Sequence, residues 1–459
     1  MDTRIEKDSM GEMEVPAGVL YGASTQRAVL NFPISGRPLP AALIHAYGEI
    51  KAAAAAANRE LGELDEDRAR RIVDAAREVA DGAHDGHFPV DIYQTGSGTS
   101  TNMNVNEVIA TLANRDADGA RVHPNDHVNL GQSSNDTFPT AIHLSTAAAI
   151  HRALVPALDE LASALEAKAA AFDEVLKIGR THLMDATPVR LGQEFAGWAR
   201  QSRLASERAG RALEALLELP LGGTAVGTGL NAHPELAGRT ITRLAGVFGI
   251  PFREARDHFE AQGAKDGCVE AHGQLNTIAV SLHKIACDLR LLGSGPRCGL
   301  GELRLPAVQP GSSIMPGKVN PVLPEAVTMV AARVIGNQAT VSWSGAGGFL
   351  ELNVSMPLIA ACLVESVELL AHAARALRER CVEGVAPDIE RCRELIEGSM
   401  AMVTSLVPLI GYDQAAAIAK EAMSRGRTVR ELCHEKAGEL GLRPEQIDRA
   451  LDPRTMTGG

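Results

Sequence analysis

The sequence predicts an all-α protein built round a bundle of long helices, and three observations carry that reading. Aromatic residues make up only 3% of the 459 positions, while alanine and leucine crowd every long segment. Strands favour aromatic and β-branched side chains, so this composition leans towards helix. Leu275, Ile278, Leu282, Ile285, Leu289 and Leu292 are spaced 3, 4, 3, 4, 3, which keeps one helical stripe apolar for five turns. Leu154, Leu158, Leu161, Leu165 and Phe172 keep a similar stripe, and Val367, Leu370, Ala374 and Leu377 repeat it. Each lies on a segment longer than an average helix, so several long helices must share one bundle.

The length exceeds one hydrophobic core, and about 150 residues per domain gives roughly three units. The stripes fall between about 135 and 385, and the flanks are more broken by Gly and Pro. We therefore expect an N-terminal helical domain over 1–132 with a substrate-binding loop, a central bundle over 133–387, and a small C-terminal helical domain over 388–459. The last boundary rests on Val385-Ala386-Pro387-Asp388, a proline followed by an N-cap residue, with Gly411 and Gly426 punctuating shorter helices beyond it. That domain reads as packing and regulation. There is no internal repeat, and the alanine-rich run Ala52 to Ala57 is the only low-complexity tract.

A net charge of -12 opposes binding to nucleic acid or an anionic membrane, which needs a surplus of Lys and Arg. An anionic substrate must find local positive potential. Seven cysteines, an odd number without C-x-x-C, read as reduced thiols in a cytoplasm. Met1 to Pro16 alternates charges with single apolar residues and lacks the apolar core of a signal peptide. No window approaches the 18 or so uninterrupted apolar residues that cross a bilayer.

Four stretches break the helical pattern with dense small polar residues, where function concentrates. In Gln94-Thr95-Gly96-Ser97-Gly98-Thr99-Ser100-Thr101-Asn102-Met103-Asn104, glycines let hydroxyls and N–H groups approach a small ligand, and a helix is expected to start near Asn104 to Val108. A capped loop accounts for this stretch equally well by itself. His123-Pro124-Asn125-Asp126, followed by Gln132-Ser133-Ser134-Asn135-Asp136, offers donors and turn formers, with a helix cap as the alternative. His123 and Asp126 lack a third metal ligand at recognisable spacing, so no metal site is expected.

The third stretch, Gly179-Arg180-Thr181-His182-Leu183-Met184-Asp185-Ala186-Thr187-Pro188, is expected as a polar break between two helices, where His182 could shuttle protons. The fourth, Gly311-Ser312-Ser313-Ile314-Met315-Pro316-Gly317-Lys318-Val319-Asn320-Pro321, is a Gly/Pro/Ser loop leading into a helix near Pro324. Five residues rather than four separate Gly311 from Gly317, and Val319 replaces the required Ser/Thr, so it is not a P-loop. Nor are G-x-G-x-x-G, H-E-x-x-H or G-x-S-x-G present. Hydroxyls, amides, one His and one Lys together suit a small dicarboxylate held by neutral donors and a single cation. They fit metal-free, cofactor-free acid/base chemistry beside a carboxylate, with Lys318 stabilising the charge that follows proton removal.

The fourth stretch, G-S-S-x-M-P-x-K-x-N, resembles the signature of the fumarase/aspartase superfamily. The other three stretches resemble the same family in order, as do Leu221-Gly222-Gly223-Thr224-Ala225-Val226-Gly227-Thr228-Gly229 and Glu351-Leu352-Asn353-Val354. The resemblance implies a three-domain all-α fold whose long bundle forms the core of a homotetramer, with each active site shared by three subunits. Thr95, Ser97, Ser134 and Thr187 fall on the class II fumarase side of the superfamily rather than the aspartase side. Fumarate and L-malate are then the substrates, as in the tricarboxylic acid cycle. Aspartate ammonia-lyase is the nearest alternative, and a non-catalytic relative a more distant one.

By the same resemblance Ser312 would take the C3 proton of malate, Lys318 would stabilise the aci-carboxylate, and His182, oriented by Glu325 and backed by Thr181, would activate water. Ser97, Gly98, Thr99, Ser133, Ser134, Asn135, Ser313, Val319 and Asn320 would hold the carboxylates. His123, Pro124, Asn125 and Asp126 would form a second, non-catalytic dicarboxylate site. There the basic residue three positions before the histidine is replaced by Ala120, with Arg121 adjacent, and Met184 stands in place of the usual Gln after Thr181-His182-Leu183.

Overall fold

The computed structural model describes residues 2–115 and 119–458. Helices dominate, and the strands among the described residues form four two-stranded sheets. The three apolar stripes lie on the helices Asp266–Leu292, Val155–Ala171 with its flanking turns, and Met356–Leu377, and every side chain named for them is buried. The 3.6-residue period therefore identified the faces that pack. The most apolar 18-residue window of Met356–Val382 has a mean hydropathy of 1.5, enough by length and apolarity for a membrane span although charged residues interrupt it; 72% of that window is buried, as in a core helix.

The chain divides into two compact units. The first spans Met1–Pro156, Ser206–Ala279 and Val330–Ala371. It opens with an antiparallel hairpin, Thr3–Asp8 against Gly11–Pro16, paired from Thr3↔Pro16 to Asp8↔Gly11. The charged/apolar alternation of the N-terminus is thus a period-two strand pattern. The helix Ala23–Asn31 has no side-chain cap of its own. Glu107, from the helix Thr99–Ala113, serves instead: its carboxylate accepts from the N–H groups of Gly22, Ser24 and Thr25 and from the Thr25 hydroxyl. A carboxylate at a helix N-terminus meets both the unpaired donors and the helix dipole.

The second unit spans Ala157–Ala205, Val280–Met329 and His372–Gly459. Asp388 caps the helix Ile389–Gly398 by accepting from the Arg391 N–H, as the Pro387-Asp388 pair predicts. Gly411 and Gly426, both at positive φ, bound the helix Tyr412–Arg425. These C-terminal helices close on Ile396, Leu406, Ile418, Leu432, Ile447 and Leu451, and Ile178 joins the same core.

Ile178 belongs to a finding that departs from expectation. The stretch around His182 is not an irregular break between helices but an antiparallel hairpin, Leu176–Thr181 against Met184–Arg190, with a bulge between Ile178 and Arg180. Its β-branched Ile178, Thr181, Thr187 and Val189 suit strands. Two helix starts also move upstream: the first polar stretch enters its helix at Thr99 rather than Asn104, and the last enters at Val322 rather than Pro324. Polar residues fill first turns because free N–H groups there need partners.

Candidate functional site

In the first unit, the first and second polar stretches meet. Gly98 adopts φ 75, a left-handed conformation, and a Cβ there would lie 1.9 Å from the Phe138 ring, so only glycine admits the turn into the helix Thr99–Ala113. Gln94 ties the turn by accepting from the Thr101 N–H and hydroxyl. Gly96 is pressed against the Val354 carbonyl, and its own carbonyl accepts from the Met356 N–H, which docks Glu351-Leu352-Asn353-Val354 beneath the turn.

A hydroxyl chain then crosses between the stretches: Ser97 Oγ lies 2.8 Å from Thr99 Oγ1, which lies 2.6 Å from Ser134 Oγ. Ser133 caps the helix Ser134–Ala149, accepting from the Asn135 N–H, while Asp136 accepts from the Ser133 N–H. The cap residue Ser133 directly precedes Ser134, the last hydroxyl of that chain. The Asn135 amide donates to the Ala225 carbonyl at 2.8 Å, and Asp136 accepts from the N–H groups of Gly222 and Thr224. The glycine-rich segment Leu221 to Gly229 is thereby pinned to the same place, over a cavity of about 280 Å³ that Gln132 and His258 help to line.

Beneath this cluster sits Lys51, which sequence reading passed over. It is fully buried, and its ammonium donates to Asn102 Oδ1, Asn129 Oδ1 and Gln132 Oε1 at 2.9, 2.9 and 3.0 Å. Burial pushes its pKa down to about 7, against the opposing pull of Asp136. The available signal was a single lysine at the head of the apolar run Ala52 to Ala57.

His123 caps the short turn Pro124–Val128. Its Nδ1 lies 3.3 and 3.2 Å from the N–H groups of Asn125 and Asp126, and 3.2 Å from the Asp126 carboxylate. A neutral imidazole accepts the two amides there, and a protonated one donates to Asp126. Arg68 and Arg71 reach the carbonyls of Arg121 and Ala120, so guanidinium groups stand beside the segment that carries Ala120.

In the second unit, His182 and Leu183 form the hairpin tip with φ 56 and 62, both in the left-handed region. Two-residue hairpin turns of that kind are ordinarily made by Asn-Gly. Thr181, His182, Leu183 and Met184 are all exposed. The strand below is anchored by buried charge: Arg180 donates to Glu302 at 2.7 Å, and Lys177 donates to Glu194 at 2.8 Å and lies 3.6 Å from Glu302.

The loop of Ser312 is closed by its own backbone. The Gly311 N–H donates to the Lys318 carbonyl at 2.8 Å, and the Asn320 amide donates to the Gly311 carbonyl at 2.7 Å. Ser312 Oγ accepts from the N–H groups of Ile314 and Met315. These bonds leave its O–H proton free to be given up and favour negative charge on its oxygen. A recess of about 430 Å³ is lined by Ser312, Gly317, Lys318 and Val319. Ser313, Lys318 and Val319 are exposed, and Glu325 lies in the first turn of the helix Val322–Gly345. Among the described residues, neither His182 nor Glu325 makes a side-chain hydrogen bond or ion pair within the chain.

Comparison with known proteins bears on the arrangement. A lyase family profile matches residues 11–336, and a profile for the fumarase C C-terminus matches 402–458. The chain is 53% identical to the class II fumarate hydratase of Mycobacterium tuberculosis (strain CDC 1551 / Oshkosh), over 99% of this chain and 96% of that one. It belongs to the class II fumarase family. Another member, from Corynebacterium glutamicum, is 52% identical over the same shares. The class II fumarase structure from Schistosoma mansoni superposes with a TM-score of 0.95 at 40% identity, covering 99% of both chains. A fumarate lyase:delta crystallin from Brucella melitensis, solved bound to cobalt, superposes with a TM-score of 0.94 at 44% identity over the whole of both chains. The four polar stretches all lie within the matched lyase region. Among the described residues, no three His, Cys, Asp or Glu side chains gather as metal ligands.

Proposed function

We propose that the chain catalyses the reversible hydration of fumarate to (S)-malate, the step of the tricarboxylic acid cycle, in the cytoplasm. The observation that carries this reading is the 53% identity to a class II fumarate hydratase across 99% of the chain. Ser97, Thr99, Ser133, Ser134 and Asn135, with Ser313 and Asn320, hold the two carboxylates. Ser312 takes the C3 proton, its developing charge met by the N–H groups of Ile314 and Met315. Lys318 stabilises the aci-carboxylate, and His182, paired with Glu325, activates the water.

That pairing is absent within the chain and is supplied by assembly: the active protein is a homotetramer whose sites draw on three subunits. Large apolar side chains left exposed on the long helices support this, among them Val280, Met329, Ile335 and Trp343, the last 84% exposed. His123 to Asp126 form a second dicarboxylate site, with Arg68 and Arg71 supplying positive charge where Ala120 does not.

The test is to follow fumarate's ultraviolet absorbance after adding purified protein to L-malate and, separately, to L-aspartate, alongside sedimentation. Fumarate from malate alone, by a tetramer, with loss of activity in Ser312→Ala and His182→Asn, is expected. Fumarate from aspartate would make the chain an ammonia-lyase, and silence on both would end the assignment.

A further inference from the structure

The geometry points to Lys51 as the residue that positions the carboxylate-binding hydroxyls of Ser97, Thr99 and Ser134, acting through the amides of Asn102, Asn129 and Gln132. The inference rests on the fumarase reading of the site and deepens it.

An ammonium has three donors and no acceptor. Lys51 spends them on three side-chain amide oxygens, which fixes how each amide is turned. The NH₂ groups then have one direction left. Asn102 and Asn106 donate to Asn129 Oδ1 at 3.2 Å, Asn129 donates to the Gln132 carbonyl at 3.1 Å, and Gln132 donates to the carbonyls of Val128 and Leu130. Without the ammonium, the NH₂ groups of Asn129 and Gln132 keep their bonds to main-chain carbonyls, but their oxygens and that of Asn102 lose the charged donor that draws the three together.

The acceptors lie where the ligand-binding groups are. Asn102 is in the first turn of the helix whose entry carries Ser97 and Thr99, and Gln132 directly precedes Ser133 and Ser134. Lys51 joins these two segments from below while the chain Ser97–Thr99–Ser134 joins them from above. Asp136, which opposes the lysine's charge, also receives the N–H groups of Ser133, Gly222 and Thr224, so the glycine-rich segment shares the node.

Stability alone does not account for this arrangement. Burying an ammonium is costly, and an apolar side chain of the same length would fill the space more cheaply. What the charge adds is a fixed spacing of the hydroxyls, and preorganised donors raise ligand affinity. Lys51 touches no reacting atom, so its loss should weaken binding and largely spare the chemical step.

The test compares wild type with Lys51→Met by steady-state kinetics on fumarate and by calorimetric binding of succinate, a dicarboxylate that cannot be hydrated. In a folded tetramer, KM and the succinate Kd should rise together by about tenfold while kcat stays within about threefold. Unchanged succinate affinity, or a collapse of kcat with affinity intact, overturns the role. If Lys51→Met does not fold, Gln132→Met removes one acceptor and keeps the other two; affinity should still weaken severalfold, and unchanged affinity overturns the role equally. A wild type that neither turns over fumarate nor binds succinate would refute the fumarase reading itself and the inference with it.

Discussion

Arg180 donates to the fully buried carboxylate of Glu302 at 2.7 Å, from the strand that leads directly to the His182 turn. Lys177, on the same strand, lies 3.6 Å from that carboxylate. One buried anion therefore fixes the base of the hairpin whose tip carries the proposed water-activating histidine. Glu302→Gln keeps the shape and removes the charge, leaving Arg180 partly buried without its counter-ion. Breaking such a pair costs about 3 kcal/mol. We expect a lower melting temperature, and a fall in kcat that exceeds any change in KM, because the hairpin orients His182 rather than the substrate. Unaltered melting and kinetics would remove Glu302 from this role.

The tip itself holds strain. Leu183 has φ 62 and is 71% exposed, so within the chain it gives little packing in return for a left-handed conformation. That conformation costs a β-carbon residue about 1 kcal/mol or more, and asparagine adopts it most readily after glycine. Leu183→Asn should raise stability by about 1 kcal/mol in urea unfolding. A destabilised variant would mean that Leu183 is packed in the assembled protein.

Gly98 is constrained twice, by φ 75 and by a Cβ position 1.9 Å from the Phe138 ring. Phe138 is fully buried and meets Tyr47 edge-on at 6.0 Å, so the ring has nowhere to move. Gly98→Ala should cost about 3 kcal/mol and raise the KM for fumarate, since the shift passes directly to Ser97 and Thr99. Thermal melts and kinetics on the same preparation would check both, and a neutral substitution would contradict the packing.

The charge on Lys51 makes stability depend on pH in a defined direction. Its folded-state pKa is pushed down to about 7 by burial, from an unfolded value of 10.5. Between those values the unfolded chain binds more protons than the folded one, so stability rises with pH. The burial cost is fully present below about pH 7 and is relieved as the pH climbs towards 10.5. Asp136 is the charge that opposes the shift, and the phenol of Tyr47, itself raised by burial, stays neutral throughout. From pH 7 to pH 9, wild type should gain about 2 kcal/mol relative to Lys51→Met, somewhat less than two full pH units at 1.36 kcal/mol each because the folded-state lysine is still half protonated at pH 7. Urea unfolding of both proteins at the two pH values measures the difference, and parallel behaviour would show that Lys51 is not buried as a titrating group.

The sequence by itself determined the helical class, the buried stripes of the long helices and the signature stretches. All three are local: helical periodicity repeats every few residues, and a dense run of Gly, Ser, Thr and Asn is visible without knowing what it touches. It also determined the Asp388 cap and the glycine punctuation of the C-terminal helices, which act within one turn. Tertiary structure alone decided the rest. The His182 stretch became a hairpin because strand pairing joins residues across a turn, and its short, interrupted alternation hid among polar residues. The C-terminal segment, read as packing and regulation, shares a core with Ile178 of that hairpin. Lys51 found its three amides at separations of 51, 78 and 81 residues, a convergence that no local pattern records. Burial decides what a charge costs and which partners it must have, and burial is a property of the folded chain.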